Sequence, residues 1–343
     1  MNKFFRYSIL TALLFISVRG VSETAHQYME KISNEFNKIS EETWDYTRAV
    51  AHNKKARAID GQRKQMLTAN RNALKRVKGM QPFNGDAAYR DSTVSYLELS
   101  YLVLNNDYGK IMDLEEVAEQ SYDGMEAYML AQQIANDKLD AAYDMLVAAQ
   151  EKFAAQNNIT LVKKTDETSE KLEKAGEVFK FYNQIYLVFF KPYKQEAYLM
   201  DAQNKSDINA MKQNQEALSK LSTEAKLKLK DIKPYKNNSS LKSSCTKVLD
   251  FYNYEADTKV SKLIDFYLEK EKFEKLKIAT DKKGKNLTSD EVNEFNNAVA
   301  SYNKASDEYN KINADLNKRR ATAIDDWNDA VSKFLDKNVS KKK

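Results

Sequence analysis

The chain has 343 residues, 55 basic and 50 acidic side chains, two histidines and one cysteine. A net charge of +5 on that length is no electrostatic footprint for nucleic acid, and a lone cysteine excludes an internal disulfide framework. Three prolines and eight glycines are too few turn formers for a strand-rich fold of this size.

The N-terminus reads as a targeting segment. Asn2-Lys3-Phe4-Phe5-Arg6 is a short basic region, Tyr7 to Val18 is an apolar run, and Val18-Arg19-Gly20 offers small residues where a signal peptidase reads. The apolar run is shorter than the roughly 20 residues a bilayer span needs. Cleavage after Gly20 is expected, leaving a mature chain destined for the periplasm or the cell surface. Removal of Lys3, Arg6 and Arg19 lowers the net charge to +2. The halves differ: residues 21–160 carry a net −5 and residues 161–343 a net +7.

Beyond residue 20 apolar residues recur at three- and four-residue steps, the period of an amphipathic helix. Tyr28, Ile32, Phe36, Ile39, Thr43, Tyr46 and Val50 mark one stripe, and Tyr302, Ala305, Tyr309, Ile312 and Leu316 another. Helices are predicted near 23–58, 62–79, 86–120 and 123–156, then near 168–205, 207–231, 239–281 and 289–336. Pro82-Phe83-Asn84-Gly85 and Pro234-Tyr235-Lys236-Asn237 read as turns, residues 157–167 as a linker, and Thr288-Ser289-Asp290-Glu291 as a capping box. Pro192 is expected to kink or stop its helix.

The two proline turns lie 152 positions apart, and the flanking residues match at that offset. Val77 pairs with Leu229, Lys78 with Lys230, Met80 with Ile232, Arg90 with Lys242, Leu97 with Leu249, and Lys110–Asp113 with Lys262–Asp265. The predicted fold is all-α: two tandem, internally duplicated four-helix-bundle-like units of long helices. The expected boundaries are 1–20 signal peptide, 21–156 first repeat, 157–167 linker, 168–338 second repeat and 339–343 basic tail.

The stretch Trp44-Asp45-Tyr46-Thr47-Arg48-Ala49-Val50-Ala51-His52, the Pro82–Gly85 turn and the run Asp91-Ser92-Thr93-Val94-Ser95-Tyr96-Leu97 resemble an uncharacterised family of bacterial surface proteins known from spirochaetes and the Bacteroidota. The resemblance implies export, a surface or periplasmic location, and no assigned activity.

Catalytic and metal motifs are missing from the sequence. Glu23 and His26 have the spacing of half a di-metal site, but no second pair completes it. No His-Glu-x-x-His, phosphate-binding glycine loop or Gly-x-Ser-x-Gly elbow occurs. The expectation is a non-enzymatic binding or scaffold protein of the envelope or surface, with no metal and no cofactor. Its partner would be an unknown envelope or surface protein, or an apolar or anionic ligand. Nucleic acid and a stable membrane span are not expected. The alternatives are a periplasmic solute- or metal-associated helical protein and a membrane-active helical effector. Candidate binding residues are Phe181, Tyr186, Phe189, Phe190 and Tyr193 in an aromatic-rich helix, and Trp44, Tyr46 and His52 on the first. Both sets read first as core packing and second as a binding surface. Residues 54–78 hold nine basic side chains against Asp60, and residues 91–144 hold twelve acids against Lys110 and Lys138, so the two segments are expected to pair. Lys341-Lys342-Lys343 is expected to be a disordered tail.

Overall fold

The computed structural model describes residues 23–52, 56–107, 118–162 and 166–341; among them the regular structure is helical, and no strand forms. The expected signal segment, Lys54, Lys55, the Lys110–Asp113 stretch, Lys342 and Lys343 lie outside the described residues. The chain forms two compact units, one of Met1–Asn183 with Ser332–Lys343 and one of Gln184–Val331.

In the first unit, α1 (Glu23–Ala51) packs on α2 (Ala56–Lys78), α2 on α3 (Ala88–Leu102), and α3 on α4 (Tyr122–Gln156). The helices meet because each carries an apolar stripe. Met29, Ile32 and Phe36 of α1, Ala73 and Val77 of α2, Tyr96 and Leu97 of α3, and Leu146 and Phe153 of α4 form one buried cluster. Each of the larger of these side chains, fully buried, contributes about 1.5–3 kcal/mol. The Phe153 ring sits 5.3 Å from both Phe83 and Tyr89 and 5.7 Å from Tyr28, so the proline turn is pinned to the core by its aromatic residue. At the end of α4, Asn158 takes a positive φ of 53° and the amide of Ile159 donates to the carbonyl of Ala154 at 2.8 Å. That left-handed cap turns the chain and buries Ile159.

The first break falls earlier than expected: α1 ends at Ala51, and α2 begins at Ala56 rather than 62. Gly61 lies inside α2 on an open face where an added Cβ meets nothing within 4 Å.

The chain passes from the first unit to the second within α5 (Glu167–Asn204) and returns within α9 (Ser289–Asn338). Pro192 does not stop α5, which continues for twelve residues beyond it. Its missing N–H forfeits one helical hydrogen bond, but its ring is buried, and the turns on either side keep theirs. In the second unit, α6 (Ile208–Asp231) packs on α7 (Ser240–Tyr254) and on α8 (Val260–Lys283). Leu218 and Leu229 of α6 and Leu241, Cys245, Val248 and Leu249 of α7 are buried. Burial pushes the Cys245 thiol up to about 12, so it packs as a small apolar group. Aromatic rings join α8 to α9, with Phe266 4.2 Å from Tyr309 and Phe273 4.8 Å from Tyr302. α9 starts with the predicted capping box: the amide of Glu291 donates to Thr288 Oγ1 at 3.3 Å, and the amide of Thr288 donates to Glu291 Oε2 at 3.0 Å.

The backbone repeats at the offset seen in the sequence. Phe83 bridges Asp86, and Tyr235 bridges Asn238. Asn84 and Gly85 have φ of 49° and 89°, Lys236 and Asn237 of 45° and 63°. Arg90 donates to the carbonyl of Met80, and Lys242 to that of Ile232. The correspondence extends to something the sequence reading did not anticipate. The helix following each turn, expected to be continuous, passes into one π-helical turn, Val103–Asp107 after α3 and Glu255–Lys259 between α7 and α8.

Candidate functional site

The eight predicted site residues divide between the units: Trp44, Tyr46, His52 and Phe181 fall in the first, and Tyr186, Phe189, Phe190 and Tyr193 in the second. Trp44 and Tyr46 are core residues of α1. The Lys171 ammonium lies 5.9 Å from the Trp44 ring. Phe181 is buried 5.5 Å from Phe334. His52 follows the end of α1, and its Nδ1 lies 2.8 Å from Asp336 Oδ1. Asp336 also accepts from Lys341 Nζ at 2.6 Å, and Arg48 donates to the carbonyl of Lys341 at 2.7 Å. Lys341 first, and then His52, hold the Asp336 carboxyl below its ordinary value. The supposed tail is therefore partly structural: Val339 is buried and Lys341 is paired.

In the second unit the aromatic residues form a graded stack. The Trp327 ring lies 4.6 Å from Phe189, and Phe189 lies 5.3 Å from Tyr193. Exposure rises along it, from 3% at Trp327 through 5% at Phe189 to 38% at Tyr193. Phe190 is buried against Tyr186 at 5.5 Å. Most of this set is core, and Tyr193 is its outlet to the surface.

One turn along α5 from Tyr193 lies a buried ionic cluster absent from the sequence reading. Arg320 of α9 donates through Nη2 to Glu255 Oε1 at 2.6 Å and through Nε to Glu196. Glu196 and Glu255 are each 3% exposed, and Tyr252 is fully buried beside them. Burial first, and then the charge of Glu196, raises the Glu255 carboxyl to about 8 against the pull of Arg320. Burial and the same two carboxylates push the Tyr252 hydroxyl well above its ordinary value. Glu255 opens the π-helical turn, which re-aims its side chain relative to a continuous helix. The cluster amounts to one guanidinium shared by two carboxyl groups that face each other. Among the described residues, no group of three or more His, Cys, Asp or Glu is placed to hold a metal ion.

Among the described residues the basic helix meets the acidic segment at Lys78 and Glu98, and its other ion pairs lie elsewhere. Arg76 reaches Glu35 of α1 at 2.5 Å, Lys64 and Arg63 reach Asp60 within α2 at 2.7 and 3.2 Å, and only Lys78 crosses to Glu98 of α3, at 3.1 Å, among the described residues. Among the described residues α2 packs mainly on α1 and α3. Lys64 and Arg76 join Lys38, Glu41, Glu42 and Asp45 around a shallow groove of about 700 Å³ between α1 and α2. Cations and carboxylates alternate around it, so it presents no single charge to a ligand.

No protein-family model, no curated protein and no solved structure matches this chain.

Proposed function

We propose that this is an exported bacterial helical protein that binds or scaffolds a partner at the cell envelope or surface, and that it performs no catalysis. The observation that carries the binding reading is the Trp327–Phe189–Tyr193 stack, in which buried rings hold a partly exposed tyrosine in fixed orientation. A pre-ordered aromatic anchor loses little conformational freedom on association, which is why tyrosines so placed serve as binding hot spots. The basic, apolar and small-residue order of residues 2–20 supports export. Among the described residues no helix is long and apolar enough to cross a membrane.

The export half is tested by expressing the full chain in a bacterium and sequencing the N-terminus of the fractionated product. Cleavage near Gly20 is expected, and an intact N-terminus retained in the inner membrane would refute it. The binding half is tested with Tyr193→Ser. Circular dichroism should stay unchanged while capture of the partner from envelope extract falls at least tenfold. Undiminished capture would overturn the assignment of Tyr193.

A further inference from the structure

Helix α4 is apolar on two sides. Its inner side buries Met125, Tyr128, Ala135, Leu139, Leu146 and Phe153. On its outer side Leu130 is 55% exposed, Ile134 48% and Met145 67%. Exposed alanines at 127, 141 and 148 continue the same line. Steps of three, four and seven place these positions on one stripe, more than four turns long. Isolated apolar side chains on a surface are ordinary, but Leu130, Ile134 and Met145 aligned on one exposed helix face give another surface a place to dock.

Charge identifies what docks there. Along one edge of the stripe run Glu126, Asp137, Asp140, Asp144 and Glu151, all exposed. Asp137, Asp140, Asp144 and Glu151 have no ion-pair partner among the described residues. The opposite edge holds Lys138, and Lys152 closes the C-terminal end of the stripe. Two copies packed antiparallel through this face would set carboxylate against carboxylate. A partner with apolar residues at helical spacing, flanked by lysine or arginine, would satisfy both features at once.

We propose that the outer face of α4 docks a basic amphipathic helix of a partner protein, with its apolar residues on Leu130, Ile134 and Met145 and its cations along the carboxylate edge. This surface belongs to the first unit and is independent of Tyr193.

The test uses the full mature chain. The probe is a fluorescent amphipathic peptide of leucines and lysines at heptad spacing, and the control is the same pattern in leucine and glutamate. Fluorescence anisotropy should show saturable binding of the lysine peptide, weakened by added salt, and none of the glutamate peptide. Ile134→Glu with Met145→Glu, and separately Asp137→Lys with Asp144→Lys, should each weaken binding at least tenfold, whereas Tyr193→Ser should leave it unchanged. These positions are exposed, so circular dichroism should be unaltered; if the glutamate pair unfolds, the lysine pair decides. Binding unchanged in the lysine pair, equal binding of both peptides, or self-association through this stripe in sedimentation would overturn the proposal.

Discussion

The turn-helix segments beginning at Met80 and at Ile232 share a backbone and differ in what they enclose. Both carry two consecutive left-handed residues, a bridge across the turn, a cation on the carbonyl two residues before the proline, and a π-helical turn fifteen residues into the following helix. Behind the first, the buried polar contact is neutral: Asn70 Nδ2 donates to Ser100 Oγ at 3.1 Å. At the matching positions of the second stand Ser222 and Tyr252, and the π-turn places Glu255, where the first has buried Val103, against Arg320. Local chemistry is thus enough to set the backbone path. The interior can change from neutral to ionic without altering it.

The contrast is sharpest in the energetics of the two interiors. Arg320→Met removes the cation shared by Glu196 and Glu255 and is expected to cost about 3–5 kcal/mol, because buried charge is left uncompensated. Asn70→Ala in the first unit should cost only ~1 kcal/mol, the worth of one neutral hydrogen bond. Denaturant unfolding of both variants measures the difference, and equal losses would erase the distinction. The ionic interior should also respond to pH. The Glu255 carboxyl is held at about 8 in the folded chain against an ordinary 4.5, so folding favours its protonated form. The stability it contributes is complete below 4.5 and is lost as pH rises through about 8. The groups facing it are Glu196, Arg320 and Tyr252. Glu255→Gln, which cannot ionise, should flatten the fall in Tm across that window, and a slope identical to wild type would exclude Glu255 as its source. The smallest effect is expected in the turns. Gly85→Ala should cost about 1 kcal/mol, because φ of 89° disfavours a side chain, whereas Asn237→Gly at φ 63° should gain a few tenths.

Most helices, both turns, the capping box and the repeat offset were legible because each is written in neighbouring residues. Glu196 and Arg320 are 124 positions apart on different helices, and His52 and Asp336 are 284 apart, so no local period announces either pair. A trace does exist. Glu196 interrupts the stripe of Phe189, Pro192 and Leu199, Glu255 that of Val248, Tyr252 and Leu263, and Arg320 that of Ile312, Leu316 and Trp327. An acid or a cation standing where the period demands an apolar residue signals a buried pair, provided a partner of opposite sign breaks another stripe. The aromatic run was correctly read as rich in core residues, but separating Tyr193 from Phe189 and Phe190 needed the packing of α9. The π-turns were illegible, since a single inserted residue barely shifts an apolar pattern already running from one buried face to the next.

The return of α9 to the first unit bears on the order of events during synthesis. Phe334, Leu335 and Val339 are buried there, and Asp336 and Lys341 close over His52 and Arg48. A chain made from its N-terminus must therefore produce every residue of the second unit before the first can be sealed. Until then the surface that awaits residues 332–341 stays open to water and to chaperones, so completion of the first unit reports that the second unit and the end of α9 have been made.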